Sequence, residues 1–256
     1  MSLTLAAPSQ RPTRPNTVPF LRLLRIEWRK SCDTRAARWM LAVIALLAAG
    51  ATAVPMVLPA QFQQAWPAYL APAALVLALL LPVVSILTLT SEWSQRSVLV
   101  TFTQEPRRAR VVAAKVLSGM ALSLLGSAFA TALAAGALAL SDALGRQVTW
   151  DLPARYIVGF VTFVLLNSLM GMAFGALLLN TPAAIVLFFV LPTVWTLLSY
   201  GWLTKLGTWL DTAQTFRYVL EADWHGHAYP ILVSIGFWIV LPLALGTLRT
   251  IRREVS

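Results

Sequence analysis

The sequence predicts an all-α integral membrane protein with six transmembrane helices, preceded by an amphipathic interfacial helix. Of its 256 residues, 58% are apolar and only 12% are charged, whereas a soluble domain carries about 25% charged residues. The apolar residues fall into six segments, each with the roughly 20 residues that a helix needs to cross a bilayer core of about 30 Å. Inside the hydrocarbon layer, a helix satisfies all of its own backbone hydrogen bonds without water, so six membrane-spanning segments predict an all-α fold.

The N-terminal region holds two elements before the first span. Residues 1–16 are predicted to be a disordered cytoplasmic tail, because they are rich in proline and show no apolar periodicity. Residues 17–38 are predicted to form the interfacial helix, with Phe20, Leu21, Leu24 and Trp28 on one face, a pattern that Ile26 and Glu27 interrupt. The alternative is a basic topology signal without a mechanical role. The residues assigned to this helix are Phe20, Arg22, Leu24, Arg25, Trp28, Arg29 and Lys30.

The six predicted spans differ little in length, except that the third is long and its first turn should project into the cytoplasm. A cleaved signal peptide ending at residues 51–53 is disfavoured, because the preceding basic region is too long and apolar sequence continues beyond it. The spans are residues 39–58, 68–90, 111–140, 156–179, 183–203 and 228–248.

Orientation follows from the lysines and arginines of the connections. Sixteen of them lie on the side of the two termini and four on the other side. Because cytoplasmic loops carry the excess of Lys and Arg, both termini are predicted to be cytoplasmic, including the tail 249–256, in a multi-pass protein of the plasma (inner) membrane. Nucleic-acid binding is disfavoured, since the positive charge is spread over connections and not gathered on one folded face.

The connection between the second and third spans, residues 91–110, is too long for a turn and too mixed for a linker. Val98, Leu99 and Phe102 recur at helical spacing, and Pro106 ends that helix before a basic cluster. This arrangement fits docking onto a soluble cytoplasmic partner; the alternative is a basic loop that only sets orientation. The residues assigned to this segment are Glu92, Arg96, Val98, Leu99, Phe102, Glu105, Pro106, Arg107, Arg108 and Arg110.

The order of these features resembles the type-two ABC exporter permeases. The likeness consists of an acidic residue after the second span (Glu92), a short helix, the run Pro106-Arg107-Arg108-x-Arg110, and Lys115 opening the third span. The stretch 21–30 is similar to that family's amphipathic helix, so the resemblance covers nearly the whole chain. One departure is Arg96-Ser97, where many relatives have Gly-Thr, which affects the local geometry of the coupling segment.

This resemblance implies a function and a set of partners. Residues 92–110 would be the coupling segment seated in a cleft of a separate ABC ATP-binding subunit, present in two copies. A second permease subunit, identical or not, would complete the translocation unit, and the cargo would be amphiphilic, drug-like or lipid-like. ATP and magnesium would be bound by the partner and no cofactor by this chain.

Two absences in the sequence agree with an external motor. The chain has no G-x-x-x-x-G-K-[ST] phosphate-binding loop, so it is not predicted to be an ATPase or any other enzyme by itself. The spans offer no Asp, Glu or His at mid-depth to carry protons. An ion-coupled secondary transporter, and a membrane scaffold or sensor that binds a cytoplasmic regulator, remain the alternatives.

A few polar and small residues are weaker candidates. Gly171 and Gly175 form a G-x-x-x-G pattern that permits close helix approach, most often within one subunit. His225 and His227 lie in an acidic outer loop that is interpreted as solvated, so no metal site is predicted. Pathway lining or contact between helices is predicted for Asn167, Ser168, Thr193 and Thr196.

Overall fold

The structure is a computed structural model that describes residues 18–94, 107–201 and 204–252. It does not describe the side chains of residues 94, 201 and 204–206. The predicted tail 1–16 and the end of the C-terminal tail lie outside the described residues. The same holds for residues 95–106 of the predicted coupling segment, which include six of its assigned residues, Arg96, Val98, Leu99, Phe102, Glu105 and Pro106.

The described part of the chain is mostly helical and contains no β-strand, apart from one isolated bridge between Ala65 and Thr149. The helices are α1 (Phe20–Asp33), α2 (Arg35–Val57), α3 (Trp66–Ser94), α4 (Arg108–Ala143), α5 (Ala154–Leu178), α6 (Thr181–Gly201), α7 (Thr204–Leu210), α8 (Thr212–Leu220), α9 (Ala228–Ile235) and α10 (Leu241–Arg252), with a π-helical turn (Gly236–Val240) between α9 and α10. Six helical stretches are long and apolar enough to cross a membrane: α2 to α6 and the continuous unit from α9 to α10. The prediction of an all-α protein with six candidate spans is confirmed.

Helix ends follow local chemistry and shift some of the predicted boundaries. The predicted turn at residues 180–182 begins earlier, because Leu179 adopts a left-handed conformation with φ of 53° directly after α5. Asn180 then accepts a hydrogen bond from the Ala183 N–H at 3.0 Å, so it caps α6. Thr181 and Pro182 therefore belong to the first turn of α6, where the missing N–H of proline costs nothing.

A single extended residue separates α1 from α2. Thr34 has φ of −70° and ψ of 145°, and its side-chain oxygen accepts a hydrogen bond from the Ala37 N–H at 3.1 Å. This is the geometry of a helix N-cap. The chain therefore changes direction sharply at Thr34 without a loop.

The centre of the bundle is the crossing of α3 and α5, which are the most buried of the six candidate spans. A Cβ added at Gly171 would lie 2.8 Å from the carbonyl oxygen of Pro82, and one added at Gly175 would lie 3.4 Å from the Cα of Ile86. The two glycines thus let the backbones of α5 and α3 touch. The G-x-x-x-G pattern serves packing within the subunit, as the sequence predicted.

The connection before the last span contains two helices that the sequence did not predict. It forms α7 and α8, which fold back against the bundle, and an added Cβ at Gly159 of α5 would lie only 2.4 Å from the Val219 carbonyl oxygen. The indole N–H of Trp195 donates to the Gly207 carbonyl at 3.1 Å, and that of Trp238 donates to the Leu210 carbonyl at 2.7 Å. These two deep tryptophans satisfy carbonyls that the short helices leave open.

Candidate functional site

Helix α1 lies across one end of the bundle, which we call the α1 end. The Arg110 guanidinium donates to the Val18 carbonyl at 2.8 Å, and Leu23 packs against Val111 in the first turn of α4. The Ser31 hydroxyl lies 3.3 Å from that of Thr88, near the end of α3. Because these contacts reach only the first turns of α4 and the last turns of α3, α1 crosses their ends and does not run alongside them.

Four charged side chains from these three helices meet at the α1 end. Lys30 of α1 lies 2.9 Å from Glu27 Oε1 and 2.6 Å from Glu92 Oε1. Lys115 of α4 lies 2.7 Å from Glu27 Oε2 and 3.2 Å from Glu92 Oε1. Each lysine therefore bridges both carboxylates, and we call this group the four-residue ion network.

Most of the ion network is buried. Glu27 is 0% exposed, Lys115 is 5% and Glu92 is 7%, whereas the side chain of Lys30 remains 43% exposed. Lys115 also donates to the Thr88 carbonyl at 3.3 Å, which adds a hydrogen bond to its ion pairs. Two acids and two bases leave no net charge, and such pairing is what makes buried ions tolerable in a low-dielectric environment.

The partly exposed Lys30 responds to two opposing effects. Burial by itself would lower the pKa of Lys30, but its hydrogen bonds and charge interactions with Glu92 and Glu27 outweigh burial and raise that pKa above the ordinary 10.5. Lys30 is therefore a cation at neutral pH, and it balances the charge of Glu27 and Glu92 on the exposed side of the ion network.

The structure corrects the predicted faces of α1. The buried stripe is Leu23, Glu27 and Ser31, spaced four residues apart, whereas Leu21, which was assigned to the apolar face, is 79% exposed. Glu27, which interrupted the predicted apolar pattern, is the centre of the buried face. Hydrophobic periodicity places acidic residues on the solvent side, so it misses a carboxylate that is buried because lysines from elsewhere in the chain neutralise it.

The burial of Lys115 was missed for a related reason. Lys115 was predicted only to open the third span, as part of the motif that also contains Glu92. In the structure it lies in the second turn of α4, is almost fully enclosed, and pairs with both Glu27 and Glu92.

The ion network and the residues next to it fix both ends of the predicted coupling segment. Glu92 fixes the end of α3, and Arg110 fixes the start of α4 through the carbonyl of Val18. Arg108 donates to the Thr250 carbonyl at 3.0 Å, and Arg249 donates to the Leu177 carbonyl at 2.7 Å, so α10 ends at the same place. The described parts of the segment are thus tied to α1, α4 and α10; Arg107 precedes α4 directly.

The four polar residues predicted within the membrane do not form one site. The Ser168 hydroxyl accepts from Ser123 at 2.7 Å, joining α5 to α4, and the Thr196 hydroxyl donates to Asp211 at 2.7 Å, joining α6 to the turn before α8. Asn167 donates to the Phe163 carbonyl and Thr193 to the Phe189 carbonyl, each within its own helix. The structure thus gives two of the four a role in helix contacts.

The two histidines lie at the other end of the bundle, which we call the α8 end. The ring of His227 stacks on Tyr218 with centroids 3.7 Å apart, and its Nδ1 lies 3.3 Å from Asp223 Oδ2. His225 is exposed. Within the described ranges, no three His, Cys, Asp or Glu side chains come together as a group that could hold a metal ion.

Comparison with known proteins adds no identification. No protein-family model matches this chain, and no curated protein matches it significantly. The resemblance to the type-two ABC exporter permeases therefore rests on the order and spacing of the sequence motifs alone, and it stays a prediction.

Proposed function

We propose that this chain is the transmembrane permease subunit of an ATP-driven ABC exporter. It works with two copies of a separate ATP-binding subunit and with a second permease, and it moves an amphiphilic, drug-like or lipid-like substrate. The observation that carries the proposal is the four-residue ion network, which joins α1 to the ends of α3 and α4 on both sides of the predicted coupling segment.

A coupling segment must pass force from a soluble motor to the spans. Residues 95–106 connect the end of α3 to the start of α4. At those two helix ends, Lys115 Nζ lies 3.2 Å from Glu92 Oε1. Because breaking a buried ion pair costs about 3–5 kcal/mol, the three helix ends are expected to move as one unit. A push on the segment would therefore tilt α3, α4 and α1 together.

The charge distribution supports a cytoplasmic position for the α1 end. Arg108 contacts the Thr250 carbonyl, so the C-terminal helix ends beside the start of α4 and the base of α1. That end collects the lysines and arginines on which the positive-inside argument rests. In the plasma membrane this orientation gives the coupling segment access to a cytoplasmic ATPase.

The interior of one subunit supports a cargo path between two subunits. The bundle centre is filled by side chains, among which Tyr69, Phe160 and Met172 are fully buried. The core residues of α3 and α5 pack against one another in one apolar cluster. A substrate would therefore pass along the surface that two copies of the bundle share.

Transport in sealed vesicles tests the proposal. The chain is co-expressed with a candidate ABC ATP-binding subunit from the same genome, and efflux of a fluorescent amphiphile is measured with ATP, without ATP and with the ATPase omitted. We expect efflux only when the ATPase and ATP are both present. Equal flux in all three conditions contradicts the proposal, and flux that an ion gradient drives without ATP identifies a secondary transporter.

Charge reversal tests the docking site itself. R107E/R108E is expected to lose the ATPase during co-purification, whereas R155E, an exposed arginine at the α8 end, should retain it. R107E alone is included, because Arg108 also supports the fold through Thr250. ATPase binding and efflux that survive in R107E and in a folded R107E/R108E protein would count against docking at this segment.

A further inference from the structure

The face of α1 that points away from the ion network carries three arginines. Arg22, Arg25 and Arg29 are exposed, and their side chains have no hydrogen-bond or ion-pair partner among the residues that the structure describes. Two other basic side chains near the α1 end have partners within the chain, since Lys115 pairs with carboxylates and Arg249 donates to a backbone carbonyl. The three arginines are thus available to an external partner.

The three arginines are close together and flanked by apolar side chains. At about 100° per residue they lie within an arc of about 60° on the helix. Leu21, 79% exposed, lies on one side of them and Ile26, 39% exposed, on the other. We call these five residues the arginine face; its cationic centre and apolar edges are typical of a helix that lies at a lipid surface.

The position of α1 favours lipid over a protein partner. Helix α1 crosses the ends of α3 and α4, where these spans leave the apolar layer. One turn into α2, Trp39 is 74% exposed, and tryptophan marks the headgroup level of a bilayer. In a bilayer, this position would bring the arginine face to the depth of the phosphate groups.

We propose that the arginine face binds the phosphate groups of anionic glycerophospholipids in the leaflet at the α1 end. A guanidinium group can donate two parallel hydrogen bonds to one phosphate. The three arginines on one face of α1 offer this pair of donors three times along the helix. Leu21 and Ile26 would contact the upper part of the acyl chains. This lipid binding does not require the ATPase, so it can be tested independently of the proposed ATPase partner.

Lipid retention by the purified chain tests this proposal. The full chain is equilibrated in bilayer discs of equal phosphatidylglycerol and phosphatidylcholine, and the lipids that remain bound after extraction are counted by native mass spectrometry. The wild type should enrich phosphatidylglycerol. Each arginine should contribute up to about five-fold to that preference, which corresponds to about 1 kcal/mol near an anionic surface, so R22Q/R25Q/R29Q should lower it at least ten-fold.

Three controls separate the arginine face from other effects. R22K/R25K/R29K keeps the charge and should keep most of the preference, and R155Q removes an exposed arginine at the α8 end and should leave the preference unchanged. All variants should retain the unfolding temperature of the wild type, since the arginines have no described partner. Added sn-glycerol 3-phosphate should not displace the lipid, because it lacks the acyl chains that Leu21 and Ile26 contact.

Two results would overturn the proposal. One is equal phosphatidylglycerol enrichment in the wild type and in a folded R22Q/R25Q/R29Q protein. The other is displacement of the lipid by free glycerol phosphate, which would indicate a simple anion site. If the purified chain shows no lipid preference and the three arginines are needed to retain the ATPase, the arginine face is a protein-docking surface instead.

Discussion

The two ends of the bundle are held together by different chemistry. At the α1 end, Glu27, Glu92 and Lys115 are buried charges whose partners come from three helices. At the α8 end, the contacts are indole and hydroxyl donors that bond to backbone carbonyls and to Asp211, and the described ion pairs, such as Arg217 with Glu221 at 3.9 Å, are exposed.

Under the proposed function, this difference would separate a connection that moves as a unit from one that only closes the fold. Buried ion pairs are strongly coupled, so the loss of one member disturbs the others, whereas separate neutral hydrogen bonds contribute about 0.5–1.5 kcal/mol each and nearly independently. We therefore expect substitutions at the α1 end to have large, non-additive effects on stability. Those at the α8 end should have smaller effects, which add unless two substitutions remove the same hydrogen bond.

The largest effect is expected for Lys115→Met. It leaves Glu27 and Glu92 buried near each other with Lys30 alone to balance them, and we expect a loss of about 3–5 kcal/mol in unfolding free energy. The measurement is thermal unfolding of the purified protein in detergent. The double variant E27Q/K115M should recover part of the loss, and additive losses would show that the four residues do not act as one network.

Alanine at a closely packed glycine should lower the free energy of unfolding by less than Lys115→Met does, and by a similar amount at both ends of the bundle. Alanine at Gly159 would place its Cβ 2.4 Å from the Val219 carbonyl oxygen, and alanine at Gly246 would place it 2.4 Å from the Ala176 carbonyl carbon. We expect about 1–3 kcal/mol of destabilisation for each. Gly136→Ala is the matched control, since nothing lies within 4 Å of its added Cβ; destabilisation as large as at Gly159 would contradict the packing argument.

A cap at the α8 end should have a smaller effect. Asp211 accepts hydrogen bonds from the Ala213 N–H at 3.0 Å and from Thr196 at 2.7 Å. Asp211→Ala should cost about 0.5–2 kcal/mol in the same unfolding assay, and Asp211→Asn, which keeps an acceptor oxygen, should cost less. Adding Thr196→Val to Asp211→Ala should lower stability little further, because both changes remove the same bond.

The smallest effect is expected for Lys30→Gln, because its side chain is 43% exposed and solvent screens its ion pairs. We expect less than about 1 kcal/mol. The raised pKa of Lys30 means that its contribution is complete at neutral pH and is lost as the pH rises past about 10.5. The difference in unfolding temperature between wild type and K30Q should therefore be constant from pH 7 to 9 and shrink above about pH 10.5.

The number of spans and the helix that precedes them were predictable, because both depend on the hydropathy and charge of neighbouring residues in the sequence. The buried role of Glu27 was not, since its environment is decided by Lys115, 88 residues further along the chain. The helices α7 and α8 were missed for a similar reason. Their sequence is too mixed to show a span, and what holds them in place is Gly159 and the indoles of Trp195 and Trp238 on other helices.

The single extended residue at Thr34 gives α1 a mechanical relation to the first span. Two stiff rods joined by one residue can change their mutual angle only through a few backbone torsions, so a displacement of α1 is converted into a swing of α2. The 23 residues of α2 extend about 35 Å, and a swing of about 5° would move its far end by about 3 Å. Because α2 is longer than the 14 residues of α1, a displacement at the α1 end would be larger when it reaches the far end of α2.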